Sequence, residues 1–77
     1  MGHESSANRP FDVLNEAIGK PVLVVLKGHS SFRGTLRAFD VHMNLVLLDA
    51  EELMDGATKT KYGKVVLRGD NVLLISP

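Results

Sequence analysis

Apolar residues along this chain follow two rhythms, and the change from one to the other comes near Lys20. From Arg9 to Lys20 they fall at helical spacing, with Phe11, Leu14 and Ile18 on one side and Val13 and Ala17 beside them. Pro10 suits a first helical turn, where its missing N–H leaves nothing unpaired, and Asp12 sits near the positive end of the helix dipole. Gly19 and Pro21 end the pattern. The spacing predicts one helix of about three turns, too short to persist alone, so its apolar stripe must cap a larger element.

After Pro21 the rhythm is that of strands. Val22 to Leu26 is a β-branched apolar run closed by the turn Gly28-His29-Ser30. Phe32, Gly34, Leu36 and Ala38 then alternate with Arg33, Thr35, Arg37 and Phe39, which predicts a strand buried on one face. Gly34 in mid-strand implies a sharp bend or a close backbone approach. A third strand is expected from Asn44 to Leu53, and Asp55-Gly56 is a hairpin signal leading into a fourth that ends near Arg68. Gly69-Asp70-Asn71 turns into a last short strand, Val72 to Ile75. One helix and five short-linked strands predict a mainly β fold, a strongly bent five-stranded antiparallel sheet forming a small open barrel. The last strand is apolar and uncharged, an edge that a soluble monomer normally protects, so pairing with another copy is expected. Unlike edges that meet head to tail close a ring.

Composition narrows the chemistry. The 77 residues suffice for one domain, and a chain this small is marginal alone. The polar stretch Met1 to Asn8 is expected to be a disordered leader, leaving residues 9–77 as the domain. No cysteine is present, which removes disulfides and thiolate chemistry and suits a cytoplasmic protein. Nine basic residues balance nine acidic ones, so a bulk polybasic binder is excluded and any nucleic-acid site must be local. No run approaches the ~20 apolar residues of a membrane span. Neither a nucleophile elbow, a phosphate-cradling glycine loop nor a metal-ligand cluster occurs, so no cofactor, metal or catalytic activity is expected.

Two polar loops carry the candidate chemistry. Asp40-Val41-His42-Met43-Asn44 joins the second and third strands, and Arg68-Gly69-Asp70-Asn71 joins the fourth and fifth. His42 and the Arg68 guanidinium are flat groups able to sandwich a base, the latter adding charge beside phosphates, although a solvated loop histidine and a plain Arg68–Asp70 ion pair closing a hairpin fit the same residues. The Asn44 amide sets an acceptor beside donors, although asparagine also suits a turn for its backbone habits. Gly69 permits close backbone approach, and a free N–H near Asp70 adds a donor. Asp40 and Asp70 have the wrong sign for phosphate and are expected to hold Arg68 and the loops in place. Met43 and Val41 are expected to pack.

With Gly34 six residues ahead of it, Asp40-x-His42-Met43-Asn44 is similar to the first Sm motif, and Arg68-Gly69-Asp70 followed by Val72 to the second. From Arg9-Pro10-x-Asp12-Val13-Leu14 to Ile75-Ser76-Pro77 the chain resembles the archaeal Sm-like proteins. The resemblance implies the Sm fold, a ring of identical subunits, usually seven, and binding of single-stranded, uridine-rich RNA around the inner rim. It implies RNA contacts at His42, Asn44, Arg68, Gly69 and Asp70, with Asp40 and Met43 in support. A second RNA site would use Arg9 and Phe39, where Phe39 replaces the family's tyrosine and loses a hydroxyl. RNA processing or ribonucleoprotein assembly would be the setting, with other RNA-processing proteins as further partners. The competing reading is a small barrel whose loops bind a protein. The bacterial relatives of this fold carry a second motif of another type than Arg68-Gly69-Asp70.

Overall fold

The computed structural model describes residues 9–77, so the expected leader 1–8 lies outside the described residues. Helix α1 spans Pro10–Ala17 and six strand segments follow: β1 Pro21–Leu26, β2 Ser31–Phe39, β3 Leu45–Met54, β4 Ala57–Lys61, β5 Lys64–Leu67 and β6 Val72–Ser76. They form one antiparallel sheet in the order β4-β3-β2-β1-β6, with β5 also paired to β3. The fold is thus the expected mainly β one, a bent antiparallel sheet with one N-terminal helix.

α1 is shorter than the twelve-residue pattern suggests. Ile18 already leaves helical geometry at ψ 129°, and Gly19 follows at φ +85°, a conformation glycine adopts without penalty. The Gly19 N–H then donates to the Leu36 carbonyl at 2.8 Å, and the Leu36 N–H donates to the Lys20 carbonyl at 3.0 Å. Backbone partners on the sheet therefore replace the next helical turn. Leu14 and Ala17 face the core, whereas Phe11 and Ile18 are largely exposed.

The bend lies along one line across three strands. Pairing between β2 and β3 slips between Arg33 and Thr35, at Gly34. A Cβ at Gly34 would stand 2.9 Å from the Leu48 carbonyl oxygen and 3.1 Å from the Ala50 Cα, which is the close approach its position implied. On β3 the same line crosses Asp49, held at φ +51°. Beyond it the expected fourth strand breaks at Tyr62-Gly63 into β4 and β5. The Asp49 N–H donates to the Gly63 carbonyl at 2.6 Å and the Tyr62 N–H to the Ala50 carbonyl at 2.7 Å, so the break stays stitched to β3. β3 thus pairs β5 over Leu45–Leu48 and β4 over Glu51–Met54.

A second slip, between Leu36 and Ala38, reverses the phase of β2. The expected alternation put Ala38 on the buried face. Instead Ala38 is exposed, and Phe39 turns to pack against the core. A single bulge residue accounts for this, because the side-chain period of a strand is two.

Leu36, Leu45, Leu47 and Val24 are completely buried at the centre, with α1 capping them. Each contributes roughly 1.5–3 kcal/mol by leaving water. At one end of the strand order β4 is polar, but β6 at the other end and β5 beside β3 expose apolar side chains. Leu73 and Leu74 on β6 are 61% and 51% exposed, and Val66 on β5 is 66% exposed. Among the described residues no helix is long and apolar enough to cross a membrane.

Candidate nucleic-acid interface

The loop after β2 is organised by Asp40. Its Oδ1 accepts hydrogen bonds from the backbone N–H groups of His42, at 2.9 Å, and Asn44, at 3.0 Å, while Oδ2 accepts from the Asn44 Nδ2 at 3.0 Å. The Met43 N–H also donates to the Asp40 carbonyl at 3.0 Å. The Asn44 side-chain amide, helped by both backbone donors, holds the Asp40 carboxyl below its ordinary value. Met43 closes the turn at φ +63° and packs its side chain against the core. That anchors the loop from beneath and leaves His42 exposed. Val41 does not pack as expected but stands 71% exposed, because the turn aims only Met43 inward.

The loop after β5 begins with Arg68 and forms one 3-10 turn over Gly69–Asn71, closed by the Asn71 N–H on the Arg68 carbonyl at 3.1 Å. The Gly69 N–H donates to the Asn44 Oδ1 at 2.8 Å, so the two loops are joined directly. A Cβ at Gly69 would collide with the carbonyl oxygen of His42. The Arg68 guanidinium pairs with the Asp70 Oδ2 at 3.2 Å, both side chains well exposed. In water such a pair is worth about 0–1 kcal/mol, little enough for a ligand to displace it.

His42, Asn44, Arg68, Gly69 and Asp70, which the sequence reading set together, line one open polar concavity. Beyond Asn44 and Arg68 the surface turns apolar over Ala38, Val46 and Val66. Two carboxylates, Asp40 and Asp70, offset the one guanidinium at this site. A cation that sequence reading missed lies close by. The Lys27 N–H donates to the Asn71 carbonyl at 2.9 Å, which brings the end of β1 against the second loop. Lys27 is exposed, and nothing in its local sequence foretold a contact with a residue more than forty positions later.

The second-site residues lie by α1. The Phe39 ring is 5.3 Å from Phe11 at an interplanar angle of 51°, and the Arg9 Nε is 3.3 Å from the Asp12 Oδ2. Both candidates are therefore engaged within the chain. Among the described residues no group of three or more metal-ligating side chains occurs.

Fold and loops together define a small bent-sheet protein whose two connecting loops meet in one polar concavity. The chain belongs to the LSM domain family, whose model matches residues 12–77. An snRNP Sm-like protein of Methanosarcina barkeri is 58% identical over 71 residues, 92% of this chain and 99% of that protein. A Pyrococcus abyssi Sm protein solved in complex with a uridine heptamer superposes with a TM-score of 0.88 at 54% identity, covering 90% of this chain and 97% of that one. A heptameric archaeal Sm protein gives 0.79 at 54% identity over 84% and 94% of the two chains.

Proposed function

We propose that this protein binds single-stranded, uridine-rich RNA at the inner rim of a homo-oligomeric ring, a heptamer, and serves RNA processing or ribonucleoprotein assembly in the cytoplasm without catalysing a reaction. His42 and Arg68 sandwich the base, the Asn44 amide reads its edge, Gly69 allows close approach and Asp70 steadies Arg68. Asp40 and Met43 hold the first loop. The observation that carries this reading is the 2.8 Å bond from the Gly69 N–H to the Asn44 Oδ1, which joins the two loops so that Asn44, His42 and Arg68 line one concavity. Single-stranded RNA is recognised in this way, by stacking of splayed bases and reading of their edges. The likeness to a Sm protein bound to a uridine heptamer supports the ligand, and the likeness to heptameric Sm proteins supports the ring.

Ring formation gives the exposed β5 and β6 edges a partner in the next copy, pairing unlike edges head to tail. Lys27 supplies a positive charge beside the second loop, where Asp70 already offsets Arg68. Arg9 and Phe39 form a second, weaker contact, reached when the Arg9–Asp12 pair opens and frees the guanidinium beside the Phe39 ring.

The test is fluorescence anisotropy of labelled oligo(U), oligo(C) and oligo(A) against wild type and Asn44→Ala. Oligo(U) should bind best, and Asn44→Ala should erase that preference. A wild type without base preference would leave the fold but refute the function, and a protein partner would become the leading alternative.

A further inference from the structure

One exposed aromatic ring lies away from both the concavity and α1. Tyr62 is 42% exposed at the break between β4 and β5. Its ring centroid is 6.0 Å from that of the buried Phe32, at an interplanar angle of 34°. Its hydroxyl donates a long hydrogen bond to the Glu52 Oε1 at 3.4 Å, and its N–H donates to the Ala50 carbonyl at 2.7 Å. The ring is thus backed by the core and still open to a ligand. Charge along its strand has one sign: between Asp55 and Asp70 every charged residue is basic, namely Lys59, Lys61, Lys64 and Arg68. The acids of β3 beside it are already engaged. Glu51 accepts from the Arg33 Nη2 at 3.0 Å and from the Thr58 hydroxyl at 2.8 Å, and Glu52 takes the Tyr62 hydroxyl. Register sets Arg33, Glu51 and Lys61 opposite one another on one face, and Phe32, Glu52 and Thr60 on the other, where the Tyr62 ring lies. Among the described residues β4 pairs only with β3, so its outer margin is open and the two faces meet around it. A nucleotide lying along that margin can set its base on Tyr62 and its phosphates beside Lys61 and Lys64. Closing a ring through β5 and β6 leaves the margin free, because β5 begins only at Lys64.

We propose that Tyr62, with Lys61 and Lys64, forms a further contact for single-stranded RNA, one that stacks a base and neutralises phosphates without reading the base. The inference rests on the reading that this protein binds single-stranded RNA. An aromatic platform beside cations is how such strands are held irrespective of sequence, since every base has a flat face. An acidic peptide on the same margin would need the lysines but not the ring, so the ring favours the nucleic acid. From Asn44, in the concavity, to Ala50, beside Tyr62, β3 covers roughly 20 Å. The two contacts therefore hold different nucleotides, and the one at Tyr62 adds affinity that the concavity does not control.

Tyr62 is the only tyrosine in a chain without tryptophan, so intrinsic tyrosine emission reports this position alone. Oligo(U) titrated into wild type should quench that emission as anisotropy of the labelled oligomer rises, with a free tyrosine amide correcting for absorption by the RNA. Tyr62→Leu keeps an apolar group against Phe32 and removes the platform. Its affinities for oligo(U), oligo(C) and oligo(A) should each fall about fivefold or more, with the order of preference unchanged. Emission that stays constant while anisotropy saturates would overturn the proposal. Quenching by oligo-glutamate but not by RNA would also overturn it and assign the margin to a protein partner. A wild type that binds no RNA at all would overturn the underlying reading as well, so the two failures are distinguishable. Should Tyr62→Leu not fold, the double variant Lys61→Gln with Lys64→Gln decides, because both side chains are exposed. Its slope of log affinity against log salt should be shallower by about 1.4, about 0.7 for each lost phosphate contact, and an unchanged slope would refute the proposal.

Discussion

Gly69→Ala is the substitution for which the geometry makes the sharpest demand. A methyl group there would meet the His42 carbonyl oxygen and stand 2.9 Å from the Met43 carbonyl carbon and 3.0 Å from that of His42. All three are backbone atoms, so no flexible side-chain end can swing away. The loops must separate, and the bond from the Gly69 N–H to Asn44 goes with them. Overpacking of this kind costs about 1–3 kcal/mol and the lost bond about 1 kcal/mol, giving about 2–4 kcal/mol together. For a domain of this size that lowers the melting temperature by about 10 °C or more. Gly34→Ala is the matched comparison, because its Cβ also meets backbone, the Leu48 oxygen at 2.9 Å, but on the bend line rather than between the two loops. Urea denaturation and oligo(U) anisotropy should therefore diverge. Both variants lose stability, but only Gly69→Ala loses oligo(U) affinity beyond what its unfolded fraction explains. Stability of Gly69→Ala within about 0.5 kcal/mol of wild type, with affinity intact, would refute the argument that backbone contact joins the loops.

Three further outcomes are expected. Leu74→Lys places a charge on the exposed β6 edge and should convert the assembly to smaller species in sedimentation; an unaltered assembly would place the subunit contact elsewhere. Lys27→Gln should flatten the dependence of oligo(U) affinity on salt while leaving the U-to-C ratio unchanged, and an unaltered slope would remove Lys27 from the phosphate path. Asp40 is depressed below the ordinary aspartate value of 3.8, mainly by the Asn44 amide, and Glu51 below the ordinary glutamate value of 4.5, mainly by the Thr58 hydroxyl with Arg33. Depressed carboxylates stabilise fully above their unfolded values and lose that contribution as pH falls through the folded ones. The urea midpoint should therefore hold from neutral pH to about 5 and decline below about 4, with a shallower decline in Asp40→Asn.

Much of this molecule is legible in its sequence because local pattern decides it. The helix start at Pro10, the Asp55-Gly56 hairpin and the apolar last strand all appear where turn chemistry and periodicity place them. The close approach at Gly34 was equally readable, since glycine inside an apolar strand has few other uses. What escaped notice depends on partners distant in sequence. The phase reversal at Arg37 comes from a bulge in the pairing of β2 with β3, and the break at Tyr62-Gly63 lies opposite the kink of β3 at Asp49, positions that no local pattern marks. The five candidate site residues could be grouped in advance, but not the bond between Asn44 and Gly69, twenty-five residues apart, that joins their loops. Lys27 was missed for the same reason. Val41 was misjudged because an apolar residue in a loop was assumed to pack, and here Met43 fills the only inward position.

The four residues Arg68 to Asn71 are also the entire connection between β5 and β6, the strands on opposite sides of the open sheet. The proposed recognition groups and the proposed assembly seams are thus consecutive in the chain, with no spacer to let one drift from the other. In a ring closed through those margins, each seam carries one reading head, and the spacing between heads is the width of a single subunit. Such a ring would act as a ruler, spacing bound nucleotides in steps set by protein architecture, and a change in subunit number would alter the length of RNA it spans.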